Sequence, residues 1–226
     1  MIKLDMLCKN YGNNEVLKNI NMEFLRGMVY GIVGENGAGK TTLFRCIAGL
    51  EEYTGVISSE PSPLKNYLGL LLTEPFFFSK ITGEEYIRLL CNARNKKVEY
   101  LNEKNIFDLP LNLYASTYST GMKKKLALTA ILMQENDYFI LDEPFNGVDI
   151  QSNFIITEII MKLKELNKII LISSHIFSTL STVSDEIHLL KKDHPVKTFQ
   201  KSDFGNLEDE MRAEIIGNKI ERLDLK

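Results

Sequence analysis

The segment Gly34-Glu35-Asn36-Gly37-Ala38-Gly39-Lys40-Thr41 fits the pattern G-x-x-x-x-G-K-[ST] and follows the apolar run Val29, Tyr30, Ile32, Val33. Few features restrict a chain more. A buried strand has to end in a glycine-rich turn that opens a helix, which commits the neighbourhood to a strand–loop–helix unit. Glycines let backbone N–H groups crowd around an anion without Cβ clashes. Those N–H groups and the positive end of the helix form an anion hole. Lys40 is placed to reach β- and γ-phosphates, and the Thr41 hydroxyl to ligate Mg²⁺. Gly34, Asn36, Gly37, Ala38, Gly39, Lys40, Thr41 and Thr42 are therefore expected around the phosphates of a nucleotide.

A second constraint lies about a hundred residues on, where Tyr138-Phe139-Ile140-Leu141-Asp142-Glu143 reads as an apolar strand ending in two carboxylates. In a parallel sheet the C-terminal ends of strands face the ligand crevice. Asp142 is expected near Mg²⁺, through water, and Glu143 is placed to take a proton from an attacking water or to orient it. Pro144 keeps the chain from running straight into a helix. Alone, such a pair is ordinarily a solvated strand end; beside a phosphate loop it reads as the hydrolytic half of a site. His175 lies 32 residues after Glu143, at the end of the next apolar strand. That predicts the same crevice edge and a contact with the γ-phosphate. His188 and His194 have no such placement.

The remaining chain fits around these anchors. Its 226 residues are 44% hydrophobic and 25% charged, which suits one large domain with a buried core and excludes disorder. A net charge of -3 gives no electrostatic case for nucleic acid. Cys8, Cys46 and Cys91 are far apart and lack zinc spacing, so reduced thiols of a cytosolic protein are expected. No signal-peptide pattern and no long apolar run predicts a membrane span, so a role at a membrane requires recruitment by another chain. Residues 22–33 read as a strand entering the glycine-rich turn, and 41–50 as a helix stopped near Gly49. Strands are expected at 54–58, 68–72, 138–141 and 168–172. Thr82 and Glu85 form a capping box for a helix to about 94, and Ser119 caps a helix to about 134. Residues 154–166 carry apolar side chains at helical spacing (Phe154, Ile155, Ile159, Leu163 and Leu166), which reads as another helix. Short apolar strands alternating with helices imply an α/β fold with a mostly parallel sheet covered on both faces. Residues 82–134 read as an inserted helical subdomain, and 193–226 as a peripheral tail, helical from about Asn206.

Between the two anchors lies Tyr118-Ser119-Thr120-Gly121-Met122-Lys123-Lys124-Lys125-Leu126. It resembles the signature segment of ATP-binding cassette proteins, in a form common among bacterial drug- and peptide-export ATPases. Phe145-Asn146-Gly147-Val148-Asp149 looks like that family's D-loop, Ser173-Ser174-His175 like its switch histidine, and Tyr11 like the aromatic that stacks on adenine. The resemblance covers roughly residues 1–192, with the motifs in family order. It implies a phosphate-loop core with an antiparallel side sheet, ATP and Mg²⁺ as cofactors, and ATP hydrolysis that powers a membrane transporter. It also implies a separate transmembrane permease, a cytoplasmic place on the inner face of the membrane, and a homo- or heterodimer. In such a dimer Ser119, Gly121, Met122 and Asp149 face the other subunit's nucleotide. Ser119 before a helix start followed by Gly121 offers the donors for this; from the segment alone a well-capped helix is the plainer reading, and Lys123 to Lys125 read as a solvated face. Two rivals stand beside this reading: a soluble cassette ATPase of translation or DNA maintenance, and a catalytically weakened partner in a heterodimer.

One departure is visible. After the strand at 68–72 the family usually has Gln, or Glu in some exporters, reaching to Mg²⁺; here Thr73 stands at that position and Glu74 follows. Either Glu74 substitutes after a one-residue shift, or coupling is altered. Phe76, Phe77 and Phe78 fit a core, but three consecutive side chains cannot all face one way, so at least one is a candidate to line a groove for a partner helix.

Overall fold

In the computed structural model, which describes residues 1–192 and 194–216, the chain begins with a hairpin of Ile2–Tyr11 (β1) and Asn14–Phe24 (β2). Leu25, Arg26 and Gly27 turn it into Met28–Val33 (β3), with Gly27 in the left-handed region at φ 72°. The stretch 22–33 is thus the end of one strand, a turn, and a second strand in another sheet. Gly27 carried the break signal. Lys40–Ile47 (α1), Thr54–Ser59 (β4) and Leu68–Leu71 (β5) follow. The helices Gly83–Asn92 (α2), Leu101–Lys104 (α3) and Thr120–Met133 (α4) come next. Then come Tyr138–Asp142 (β6), Ile150–Glu165 (α5), Ile169–Ser173 (β7), Phe177–Val183 (α6), Glu186–Leu189 (β8), Lys197–Gln200 (β9) and Phe204–Ile216 (α7).

β2, β1 and β4 make an antiparallel side sheet in that order. The main sheet runs β5-β6-β7-β3-β8-β9, parallel as far as β8 and closed at one edge by antiparallel β9. Period-two alternation sorts each central strand between two cores. Val29 and Val33, Phe139 and Leu141, Ile170 and Ile172 face the helical side, packed with residues of α2, α4, α5 and α6. Tyr30 and Ile32, Tyr138 and Ile140, Ile169 and Leu171 face the side sheet and α1. Both faces are covered, which is why these strands read as unbroken apolar runs.

Helix ends follow local chemistry. Gly49, at φ 71°, closes α1: its N–H donates to the Cys46 carbonyl at 3.0 Å, and the Leu50 N–H to Arg45 at 2.9 Å. The apolar spacing over 154–166 falls on α5, but not all of those residues face the core. The buried residues are Ser152, Ile156, Ile160 and Leu163, with Ile155 and Ile159 packed at the margin, while Phe154 and Leu166 are exposed. The helix carries apolar residues on every face, so spacing alone does not fix its rotation. Its cap does: Asp149 accepts from the Ser152 N–H at 2.8 Å and Lys125 pairs with Asp149 at 3.1 Å. The segment expected as a peripheral tail is partly built into the molecule. β9 extends the main sheet, and Phe204 and Leu207 are buried in the core; 217–226 lie outside the described residues.

The Thr82 cap is complete: its hydroxyl accepts from the Glu85 N–H at 3.2 Å, and Glu85 accepts from the Thr82 N–H at 2.8 Å. Thr82→Ala removes one of these bonds, and equilibrium urea unfolding is expected to show a loss of about 1 kcal/mol. An unchanged midpoint would mean that α2 is held by packing alone.

Candidate active site

The phosphate loop joins β3 to α1; Gly34 and Gly39 have no room for a side chain, while Gly37 meets nothing but holds φ 85°. A Cβ on Gly34 would collide with the Leu190 carbonyl, and one on Gly39 would lie 3.0 Å from Leu17. Lys40 is buried, and its ammonium donates to the carbonyls of Gly34 at 2.7 Å and Glu35 at 3.1 Å. Burial pushes its pKa down, opposed by the charges of Glu143 and Asp142.

β6 and β7 are paired in register at Asp142 and Ser173, so the acidic pair and the histidine segment leave the sheet side by side. The Asp142 carboxylate is 1% exposed. Its Oδ2 accepts from the Thr41 and Thr73 hydroxyls, each at 2.8 Å, and its Oδ1 from the Ser173 hydroxyl at 2.6 Å. The same Ser173 oxygen accepts the Glu143 N–H at 3.1 Å. Glu143 itself has φ 55°, a rare conformation for a residue with a side chain. Its Oε2 accepts from the His175 N–H at 3.1 Å. The His175 ring Nε2 lies 3.2 Å from Oε1, an ion pair only when the ring is protonated, and Oε1 is buried with no hydrogen bond among the described residues. A buried carboxylate oxygen without a donor is costly and points to a water or ligand at that spot.

These groups line a crevice of about 410 Å³, with Val16, Asn36, Gly37, Gly39, Lys40, Thr41, Thr42, Thr73, Asp142, Glu143 and His175 at its walls. A larger cavity, about 520 Å³, flanks the other side of the loop along Ala38, Leu189, Leu190, Lys192 and Pro195. It holds none of the paired carboxylates, so the hydrolytic chemistry belongs to the smaller one. Val16 carries no chemical signature and was not legible as a crevice residue.

Not every expected site residue lines this crevice, and the four read as facing another subunit's nucleotide are not expected to. Glu74 is exposed and does not line the crevice, whereas Thr73 does. Tyr11 ends β1, partly exposed, with the Lys9 ammonium 4.5 Å from its ring centroid; it is not at the crevice wall. Ser119, Gly121, Met122 and Asp149 also stand outside the crevice. Ser119 caps α4 by accepting from the Met122 N–H at 3.2 Å. The Ser152 N–H and hydroxyl, with Lys125, hold the Asp149 carboxyl well below the usual carboxylate range. Of the lysine run, Lys124 is not on a solvated face but 1% exposed.

A Cβ on Gly121 would lie 2.5 Å from the Gly147 carbonyl oxygen. In most helices Gly→Ala gains up to ~1 kcal/mol. Gly121→Ala is instead expected to lose about 1–3 kcal/mol in urea unfolding, because the collision is with backbone. A gain in stability would show that the loop yields freely.

Comparison with known proteins agrees with this geometry. The profile of the ABC transporter family matches residues 17–146. The bacitracin transport ATP-binding protein BcrA of Enterococcus faecalis is 32% identical over 210 residues, covering 87% of this chain and 68% of that protein. The lantibiotic transport ATP-binding protein SrtF of Streptococcus pyogenes is 28% identical over 228 residues, covering 97% and 99%. A dimeric, post-hydrolysis structure of the ATP-binding cassette MJ0796 with ADP and Pi has a TM-score of 0.80 at 19% identity, over 89% of this chain and 99% of that one, which shows a shared fold. With the family profile spanning more than half of its length, this chain belongs to the ABC transporter family, as an ATP-binding and ATP-hydrolysing subunit that energises a transporter.

Proposed function

We propose that the chain is the ATPase of an exporter whose permease is a separate chain, and that it works at the inner face of the membrane as a dimer of cassettes. The observation that carries the dimer is a separation. Catalytic groups converge on one crevice, yet the capped helix start at Ser119, suited to an anion, opens on a different surface. That surface is served by the nucleotide of a second cassette. The relatives' bacitracin and lantibiotic names and the Ser-x-Gly-Met signature support export. Among the described residues no helix is long and apolar enough to cross a membrane, which supports a permease on another chain. Phe76 and Phe78 supply a place for it: they are 72% and 56% exposed and pack edge to face at 5.3 Å, while Phe77 turns inward onto Tyr86.

At the crevice, Lys40 exchanges its two loop carbonyls for phosphate oxygens. The Glu143 Oε1, which has no hydrogen-bond donor among the described residues, accepts the hydrogen of the attacking water, while the His175 backbone holds Oε2 and so the orientation of the carboxylate. No cluster of three His, Cys, Asp or Glu among the described residues can hold a metal by itself. Thr41, Asp142 and Thr73 nevertheless present hard oxygens that fit Mg²⁺ together with nucleotide phosphates. When bound there, Mg²⁺ neutralises charge on the β- and γ-phosphates.

Glu143→Gln keeps the shape and removes the base. Turnover is expected to fall by roughly 10²-fold or more, with MgATP still bound, and light scattering is expected to show a dimer only with MgATP. Adding Ser119→Asp preserves the helix cap but sets a carboxylate against phosphate, and abolishes that dimer. Ser119 is the position to change because any side chain at Gly121 strikes Gly147. A strictly monomeric protein whose turnover is independent of concentration would sink the shared-site reading. Separately, Thr73→Val is expected to raise the Mg²⁺ concentration needed for nucleotide binding and hydrolysis more than Glu74→Ala does. Equal and negligible shifts would show that neither residue serves the metal.

A further inference from the structure

Lys124 stands five residues after Ser119 on α4, and its side chain is wholly enclosed. Lysines are seldom buried unless the charge is satisfied. Here both acceptors among the described residues are backbone: the Lys124 ammonium donates to the Glu143 carbonyl at 2.6 Å and to the Asn146 carbonyl at 3.0 Å. Those two carbonyls belong to one turn, Glu143-Pro144-Phe145-Asn146, which the Asn146 N–H closes onto the Glu143 carbonyl at 3.2 Å. Lys124 therefore clamps both ends of the turn that begins with the catalytic carboxylate. Neighbouring contacts follow the same order along the two segments: Gly121 lies against Gly147, and Lys125 pairs with Asp149. A hydrocarbon side chain would fill this space without desolvating an ammonium, but it would not fix the direction of either carbonyl.

We propose that Lys124 is a positioning residue that couples the two nucleotide sites of the dimer. Within one chain it ties the helix whose start faces the partner's nucleotide to the turn that holds Glu143 at this chain's own nucleotide. The inference rests on the shared-site reading above. A shift of α4 when the partner's ATP binds or is cleaved moves two carbonyls through directional hydrogen bonds, and Glu143, already in a rare backbone conformation, moves with them.

The test compares Lys124→Met, which keeps length but donates nothing, with Lys124→Gln, which retains an N–H donor for one carbonyl. In the dimerising full chain, hydrolysis is measured against ATP concentration. Wild type is expected to be cooperative. Lys124→Met should lower kcat by up to ~10²-fold and reduce the Hill coefficient to that of independent sites, with nucleotide affinity of the monomer within about twofold of wild type. Lys124→Gln should recover part of both kcat and cooperativity. Should Lys124→Met fail to fold, the Hill coefficient of Lys124→Gln decides alone. A MgATP-dependent dimer of the Glu143→Gln protein must be present as control, and its absence sinks the shared-site reading and this inference together. A dimer with undiminished cooperativity in the Lys124 variants overturns this inference only.

Discussion

The buried Asp142 carboxylate is the point on which the site depends. An ionised carboxylate at 1% exposure is costly unless each of its oxygens is satisfied. Three hydroxyls do this, from Thr41 in the first turn of α1, Thr73 just beyond β5, and Ser173 at the end of β7. They come from separate parts of the chain, 31 to 101 residues away in sequence. One side chain therefore aligns the phosphate loop, an outer strand end and the histidine segment. Because its donors among the described residues are neutral hydroxyls, the carboxylate is hydrogen-bonded without a direct ion pair, which leaves it available to a cation. Two ammonium groups lie close enough to feel its charge: Lys40 is tied to the Gly34 and Glu35 carbonyls and Lys124 to those of Glu143 and Asn146. The arrangement is thus partly preorganised: Lys40 and the carboxylate are already buried before a nucleotide arrives, while Glu35, Asn36 and Gly37 of the loop stay exposed.

What was legible in the sequence was chemistry confined to a few consecutive residues. The phosphate loop, the carboxylates ending β6 and the histidine after β7 were readable because strand, turn and polar group are adjacent, and the parallel sheet brings strand ends together. The Thr82–Glu85 cap was readable for the same reason. What escaped depends on rotation or on distant partners. In α5 the apolar residues surround the helix, and its cap, set by Lys125 from another helix, fixes which face is buried. Lys124 looked like one of three solvated lysines because its acceptors, the backbone of residues 143 and 146, leave no trace in side-chain chemistry. Thr73 and Glu74 were equivalent candidates in one dimension. The end of β5 separates them, turning Thr73 to Asp142 and Glu74 to solvent.

The exposed features share a logic with the buried ones. A folded chain of this size ordinarily keeps large apolar side chains scattered at its surface. Phe76 and Phe78 are instead adjacent and in contact, a few residues from the Thr73 hydroxyl that donates to the Asp142 carboxylate. The short link between them contains Pro75, which restricts its backbone. A displacement of those aromatics by a partner would thus be carried to Asp142 over a short, stiff path. On the opposite side of Asp142, Ser173 passes the connection to the Glu143 N–H, and Lys124 passes it from the Glu143 carbonyl to α4. The carboxylate pair accordingly stands between two outward-facing surfaces, each joined to it by a few directional hydrogen bonds. Such bonds have preferred geometries that packed hydrocarbon lacks. A chain that must exchange the energy of one bound phosphate for motion in other subunits needs this kind of connection, because a core held by apolar contact alone tolerates small rotations without committing the catalytic oxygen to move.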